Sequence, residues 1–119
     1  MITQEELYEK YPHLFARRFL DRSKTCMSYG IEVSEGWFSI IDRLSAELSE
    51  KFPYVQYEQI KEKFGILRIY TNGAGDNYSD VSELISKYCD ESQHTCEKCG
   101  EPGELRTDKW LKVLCDVHK

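Results

Sequence analysis

The sequence lacks the excess of positive charge that a nucleic-acid-binding domain usually shows. Lys and Arg total 16 against 21 Asp and Glu, a net charge of −5 over 119 residues. No segment is basic: counting side chains gives −2 for residues 1–53, −3 for residues 54–95 and zero for residues 96–119. Nucleic acid is therefore disfavoured as a partner. Long apolar runs are also missing, and nothing approaches the ~18 residues of a membrane span. Met1 leads into Thr3, Gln4, Glu5 and Glu6, without the basic and apolar regions of a secretory leader. The expectation is a cytoplasmic protein in a reducing compartment, where cysteines bind metal or stay free.

Catalytic constellations are equally scarce. There is no His-Glu-x-x-His. The glycines of Asn72-Gly73-Ala74-Gly75-Asp76-Asn77 have the wrong spacing for a phosphate loop, and no lysine follows where one is needed. A zinc deaminase pairs its Cys-x-x-Cys with an upstream His-x-Glu and keeps one coordination position open. His94 precedes Cys96 but lacks that glutamate, so it reads as a solvent-facing or supporting residue. Cys26 with His13 has no local support as a nucleophile pair. These absences predict that the protein is not an enzyme.

What is present is concentrated near the C-terminus. Cys96, Cys99, Cys115 and His118 read Cys-x-x-Cys, fifteen intervening residues, then Cys-x-x-His. This is the spacing of a tetrahedral zinc site with three thiolates and one imidazole. The close pairs each aim two donors at one cation, Gly100 lets the chain turn away, and the intervening residues suffice for one hairpin. Four protein ligands leave no place for water or substrate, so one structural Zn2+ is expected. Disulfides and plain buried thiols are the alternatives. Zinc at 2+ with three thiolates takes residues 96–119 to about −1. Cys26 and Cys89 are left over and expected in the core.

Upstream, Thr3 and Glu6 make a capping box before a short helix carrying Leu7, Tyr8 and Tyr11. Pro12 opens a second helical segment with Leu14, Phe15 and Phe19. Arg17, Arg18, Arg22 and Lys24 make it the most basic stretch, read with Asp21 as a solvated face. Residues 24–36 are expected to be irregular, with Gly30 and Gly36 as turn points. Ser34 or a neighbour then caps the longest helix, whose Trp37, Ile40, Ile41, Leu44 and Leu48 form one apolar stripe that Phe52 extends and Pro53 ends. Residues 54–60 and 66–71 are rich in aromatic and β-branched residues, predicting two strands joined through Lys61 to Gly65. Asp80 with Glu83 predicts a further helix with Val81, Leu84, Ile85, Tyr88 and Cys89 on its apolar face. Short strands over residues 104–107 and 110–114, turning at Asp108-Lys109, complete the chain, with Trp110 and Leu114 packed over the site or against the main domain.

The fold class expected is α+β: helices on a small antiparallel hairpin or sheet over residues 1–93, then a zinc-binding module over residues 94–119. Ribbon is preferred to a treble-clef-like knuckle, because only Lys119 follows His118.

The order of motifs carries a resemblance. Gly36-Trp37 with its apolar helix, Lys61-Glu62-Lys63-Phe64-Gly65 with Leu67-Arg68-Ile69-Tyr70, Thr95 to Gly103, Trp110, and Leu114-Cys115-Asp116-Val117-His118 follow in turn. Together they resemble a family of small, largely uncharacterised bacterial and phage-borne zinc-ribbon proteins, over roughly residues 26–119. The resemblance implies the metal ligands Cys96, Cys99, Cys115 and His118, and no established activity. Carriage on a mobile element makes a host protein the expected partner. A specific version is an inhibitor of a nucleic-acid-guided nuclease, such as an anti-CRISPR protein, whose acidic surface fills a basic channel. Glu58, Glu62, Asp76, Asp80 and Glu83 are the candidate contacts. The alternative is a nucleic-acid-binding accessory or transcriptional regulator using Lys61, Lys63 and Arg68 beside Phe64 and Tyr70. Against it, Phe64 is expected to cap the core.

Overall fold

The computed structural model describes residues 1–21 and 23–119; Arg22 of the basic stretch lies outside the described residues. The fold is α+β. In chain order it runs α1 (Gln4–Lys10), β1 (Ile31–Glu32), α2 (Phe38–Lys51), β2 (Gln56–Lys63), β3 (Ile66–Asn72), α3 (Tyr78–Ser92), β4 (Glu104–Arg106) and β5 (Lys112–Leu114). Strands β1, β2 and β3 form one sheet in that order, and β4 pairs with β5.

Local chemistry sets most of these boundaries. Thr3 closes the capping box on Glu6, starting α1. After Pro12 the chain does not form a second α-helix. It makes turns and a 3-10 segment over Ala16–Phe19 that buries Leu14 and Phe15 but leaves Phe19 78% exposed. The stripe on α2 is as expected: Ile40, Ile41, Leu44 and Leu48 are fully buried. Each contributes about 1.5–3 kcal/mol on burial. Trp37 precedes the helix proper, in a 3-10 turn over Glu35–Trp37, and Ser34 makes no side-chain cap. α3, at 15 residues against 14 for α2, is the longer helix. Asp80 lies within its first turn, not at its cap, which falls on Asn77.

The sheet differs from the sequence expectation in two ways. First, Ile31–Glu32, within the stretch expected to be irregular, pairs in parallel with Ile60 and Lys61. Two residues are too short to show a strand period. Second, β2 continues through Lys61 and Lys63, and the turn contracts to Phe64-Gly65, with φ of 55° and 81°. Two adjacent left-handed residues match the right-handed twist of a tight hairpin. Phe64 consequently points to solvent, 63% exposed, instead of capping the core.

The core lies between this sheet and the helices. Tyr57 is fully buried, with its ring 4.9 Å from that of Phe15 and its hydroxyl 2.8 Å from Ser45 Oγ. Burial pushes the Tyr57 hydroxyl far above its ordinary range, against the opposing hydrogen bond from Ser45. α3 covers edge strand β3: Ser92 Oγ accepts the Leu67 N–H at 3.1 Å. Burial raises the Cys89 thiol to about 11, so it remains neutral. Cys89 and Cys26 are both half-buried, and Cys26 is not part of the main apolar cluster.

Ser45→Ala should lower unfolding free energy by about 1–3 kcal/mol, because it strands the Tyr57 hydroxyl in an apolar site. Urea denaturation measures it, and Ser45→Ala combined with Tyr57→Phe should recover part of the loss.

Candidate metal centre

The four predicted ligands are brought together. The ligand atoms of Cys96, Cys99, Cys115 and His118 all lie within 4.8 Å of one another. Cys96 Sγ is 3.8 Å from His118 Nδ1, Cys99 Sγ is 3.7 Å from Cys115 Sγ, and Cys115 Sγ is 3.2 Å from His118 Nδ1. A tetrahedral ion with metal–sulfur bonds of about 2.3 Å and a metal–nitrogen bond of about 2.0 Å requires S···S edges of about 3.8 Å and S···N edges of about 3.5 Å. The contacts fall close to those edges. The arrangement can therefore hold one tetrahedral ion, and its donor set is soft.

Two backbone devices build the cluster. In the first, the Gly100 N–H donates to Cys96 O at 2.9 Å, and Gly100 takes φ 83°, closing the Cys-x-x-Cys turn. In the second, β4 and β5 carry the chain out and back in the register Glu104↔Leu114, Leu105↔Val113 and Arg106↔Lys112. Cys115 follows at once, and the His118 N–H donates to Cys115 O at 3.2 Å. Burial opposes ionisation of Cys96, but N–H groups of Cys115, Cys99 and Lys98 outweigh it and lower the thiol to about 6. At Cys99 the Glu101 N–H pulls the thiol down, while desolvation and the neighbouring sulfurs of Cys96 and Cys115 push it up further. Crowded sulfurs of this kind are relieved by a shared cation.

The cluster is seated on the main domain. The Gly36 N–H donates to Glu97 O at 2.7 Å, and the Trp37 indole donates to Thr95 O at 2.8 Å. A Cβ on Gly36 would lie 2.3 Å from Cys96 O and 2.4 Å from the Glu97 carbonyl carbon. Only glycine fits there. Glu97, just 3% exposed, accepts the Ser34 N–H at 3.0 Å and faces the Lys112 ammonium at 3.4 Å. Sequence reasoning missed Glu97. A glutamate between two cysteines reads as a solvated loop residue, and nothing local marks its distant partners. On β5, Val113 joins the main core while Leu114 packs with Cys96 and Cys115.

Other expectations are redrawn. Trp110 does not pack over the site or the core: it is 81% exposed. β5 begins at Lys112, so residues 107–111 form a loop and not the tight turn expected at Asp108-Lys109. His94 is exposed and outside the cluster. Among the acidic candidates, Glu58 pairs with Arg17 at 2.6 Å, and Glu62 accepts the Gly65 N–H at 2.9 Å. Asp76 is exposed in the 3-10 turn that precedes α3, and Asp80 and Glu83 are exposed in its first two turns. Lys61, Lys63 and Arg68 share the outer face of the β2–β3 hairpin.

Comparison with protein-family models, with curated proteins and with solved structures gives no match. The site is therefore read from its own geometry. No helix among the described residues is long and apolar enough to cross a membrane.

Cys96→Ser should lower metal stoichiometry below one equivalent, read by elemental analysis, and should melt residues 94–119, read by amide exchange. Glu97→Ala should keep full stoichiometry yet cost about 1–3 kcal/mol by leaving the Ser34 N–H without its acceptor. Gly36→Ala should destabilise by roughly 2–4 kcal/mol, since backbone atoms must move apart.

Proposed function

We propose that the ion is a single structural Zn2+ and that the chain is a non-enzymatic interaction module which zinc holds in shape. The observation that carries this reading is the closed donor set. Three sulfurs and one imidazole occupy all four corners, and a catalytic zinc keeps one open. The metal then contributes folding energy to a hairpin too small to be stable by itself.

The partner in this reading is a host protein, met by a mobile-element protein that blocks it in the manner of an anti-CRISPR inhibitor. The acidic surface available is the start of α3. Asp76, Asp80 and Glu83 enter none of the ion pairs among the described residues. Asp80 and Glu83 line a cleft of about 460 Å³ together with Lys51, Phe52, Leu84 and Lys87. Exposed carboxylates that enter no ion pair suit a basic protein surface, such as a nuclease channel, through charge complementarity. Glu58 and Glu62 drop out of this surface, because both carboxylates are engaged within the fold.

Affinity capture from nuclease-treated host lysate should recover a stoichiometric protein partner with the natural chain and lose it with Asp80→Lys/Glu83→Lys. Retention of that partner by the variant at unchanged yield would remove the acidic surface from the reading.

A further inference from the structure

The outer face of the three-stranded sheet is a second surface, independent of the metal ligands. Cross-strand register sets Gln59 beside Tyr70, Lys61 beside Arg68 and Lys63 beside Ile66, while Ile60, Leu67 and Ile69 on the opposite face are buried. Like charges directly opposite one another across a sheet repel and weaken it. Here Lys61 faces Arg68, and Lys63 follows two residues along on the same side. None of the ion pairs among the described residues involves Lys61, Lys63, Arg68 or Lys109. The carboxylate nearest in register, Glu32 beside Lys61, is 3.5 Å from the Gln59 amide. Asp90 lines a cleft with Arg68 without pairing to it. In a chain of net charge −5, cations gathered on one face outside these ion pairs make a local site for a polyanion.

Aromatic residues interleave with these cations. Tyr70 is 47% exposed, with the Lys61 ammonium 5.9 Å from its ring centre. The Lys63 ammonium is 5.7 Å from the ring of Phe64. Phe64 occupies a left-handed position where asparagine or glycine is the usual residue. Its ring gains little burial to offset that strain. Around the hairpin tip, Phe64 and Glu62 share a cleft of about 490 Å³ with Lys109, Trp110, Leu111 and Lys112 of the ribbon, and the Glu62 carboxylate there is held by the Gly65 N–H.

We propose that this surface binds single-stranded nucleic acid, with Lys61, Lys63, Arg68 and Lys109 meeting phosphates while Tyr70, Phe64 and Trp110 stack on bases. Outstanding rings require unpaired bases, which a duplex does not offer, and they would be idle against an acidic peptide. The inference uses none of the α3 carboxylates, so it stands or falls separately from the acidic-surface reading.

The test is fluorescence anisotropy of the full chain prepared with zinc, titrated into labelled oligo-dT and oligo-rU. A duplex of equal length and poly-glutamate serve as competitors. Single strands should bind at low salt, with log K falling against log salt at a slope of about −2 to −3, as roughly 0.7 per phosphate contact predicts for three or four contacts. Lys61→Gln with Arg68→Gln should flatten that slope by roughly 1.4. Phe64→Asn should weaken binding roughly tenfold while the melting temperature holds or rises, a split that a folding defect does not produce. No binding of either strand at low salt would overturn the proposal, as would affinity unchanged in the double variant. Equal competition by duplex would remove the stacking role. Displacement by poly-glutamate as readily as by oligonucleotide would reassign the face to an acidic protein.

Discussion

The contact between the backbone at Gly36 and the backbone at Cys96–Glu97 fixes the relation between the two parts of this molecule. A Cβ at Gly36 would come within 2.4 Å of three main-chain atoms, so the approach leaves no room for any other residue. Around that seat the polar groups are matched in sequence: Gly36 N–H to Glu97 O, Trp37 indole to Thr95 O, Ser34 N–H to the Glu97 carboxylate. Burying such groups is tolerable only because each is paired. The ribbon is thus no appendage on a tether. Its knuckle closes the same side of the core that Trp37 fills, and Val113 enters that core from β5.

This seat also determines what the outer surfaces can present. The tip of the β2–β3 hairpin packs close to the ribbon, for a Cβ on Gly65 would lie 2.9 Å from Leu105 Cδ1 and 3.3 Å from Leu111 O. Phe64, next in the turn, and Trp110, next in the loop, consequently stand on one cleft although 46 positions separate them. An ion held by the four clustered side chains would shape the ribbon and thereby position Trp110 relative to the sheet, some distance from its own ligands. The acidic start of α3 belongs to another part of the surface, where Asp80 and Glu83 sit with Lys51, Phe52, Leu84 and Lys87.

The parts of the fold legible in the sequence were those with a strong period or a local capping rule. The α2 stripe, the apolar positions of α3 and the Thr3 capping box needed only i, i+3, i+4 spacing and one hydroxyl. The four clustered donors were legible because Cys-x-x-Cys and Cys-x-x-His each confine two donors to one turn. Short or aperiodic elements were not legible. Ile31–Glu32 is a strand only because β2 is beside it, and the segment after Pro12 buries Leu14 and Phe15 without completing an α-helix. Trp110 was expected inside because large apolar residues usually are, yet β5 begins two residues later and leaves it on a loop.

By itself the sequence determined the donor set, the helical faces and the two long strands β2 and β3, since each depends on neighbours a few residues apart. Tertiary structure decided which charges are free. Glu58 is taken up by Arg17 and Glu62 by the Gly65 N–H, whereas Lys61 and Arg68 are set side by side and enter none of the ion pairs among the described residues. It also gave Glu97 its buried role and Gly36 its necessity. Those outcomes rest on pairings across distances in sequence that no local spacing encodes, and they exist only once the knuckle is seated on the core.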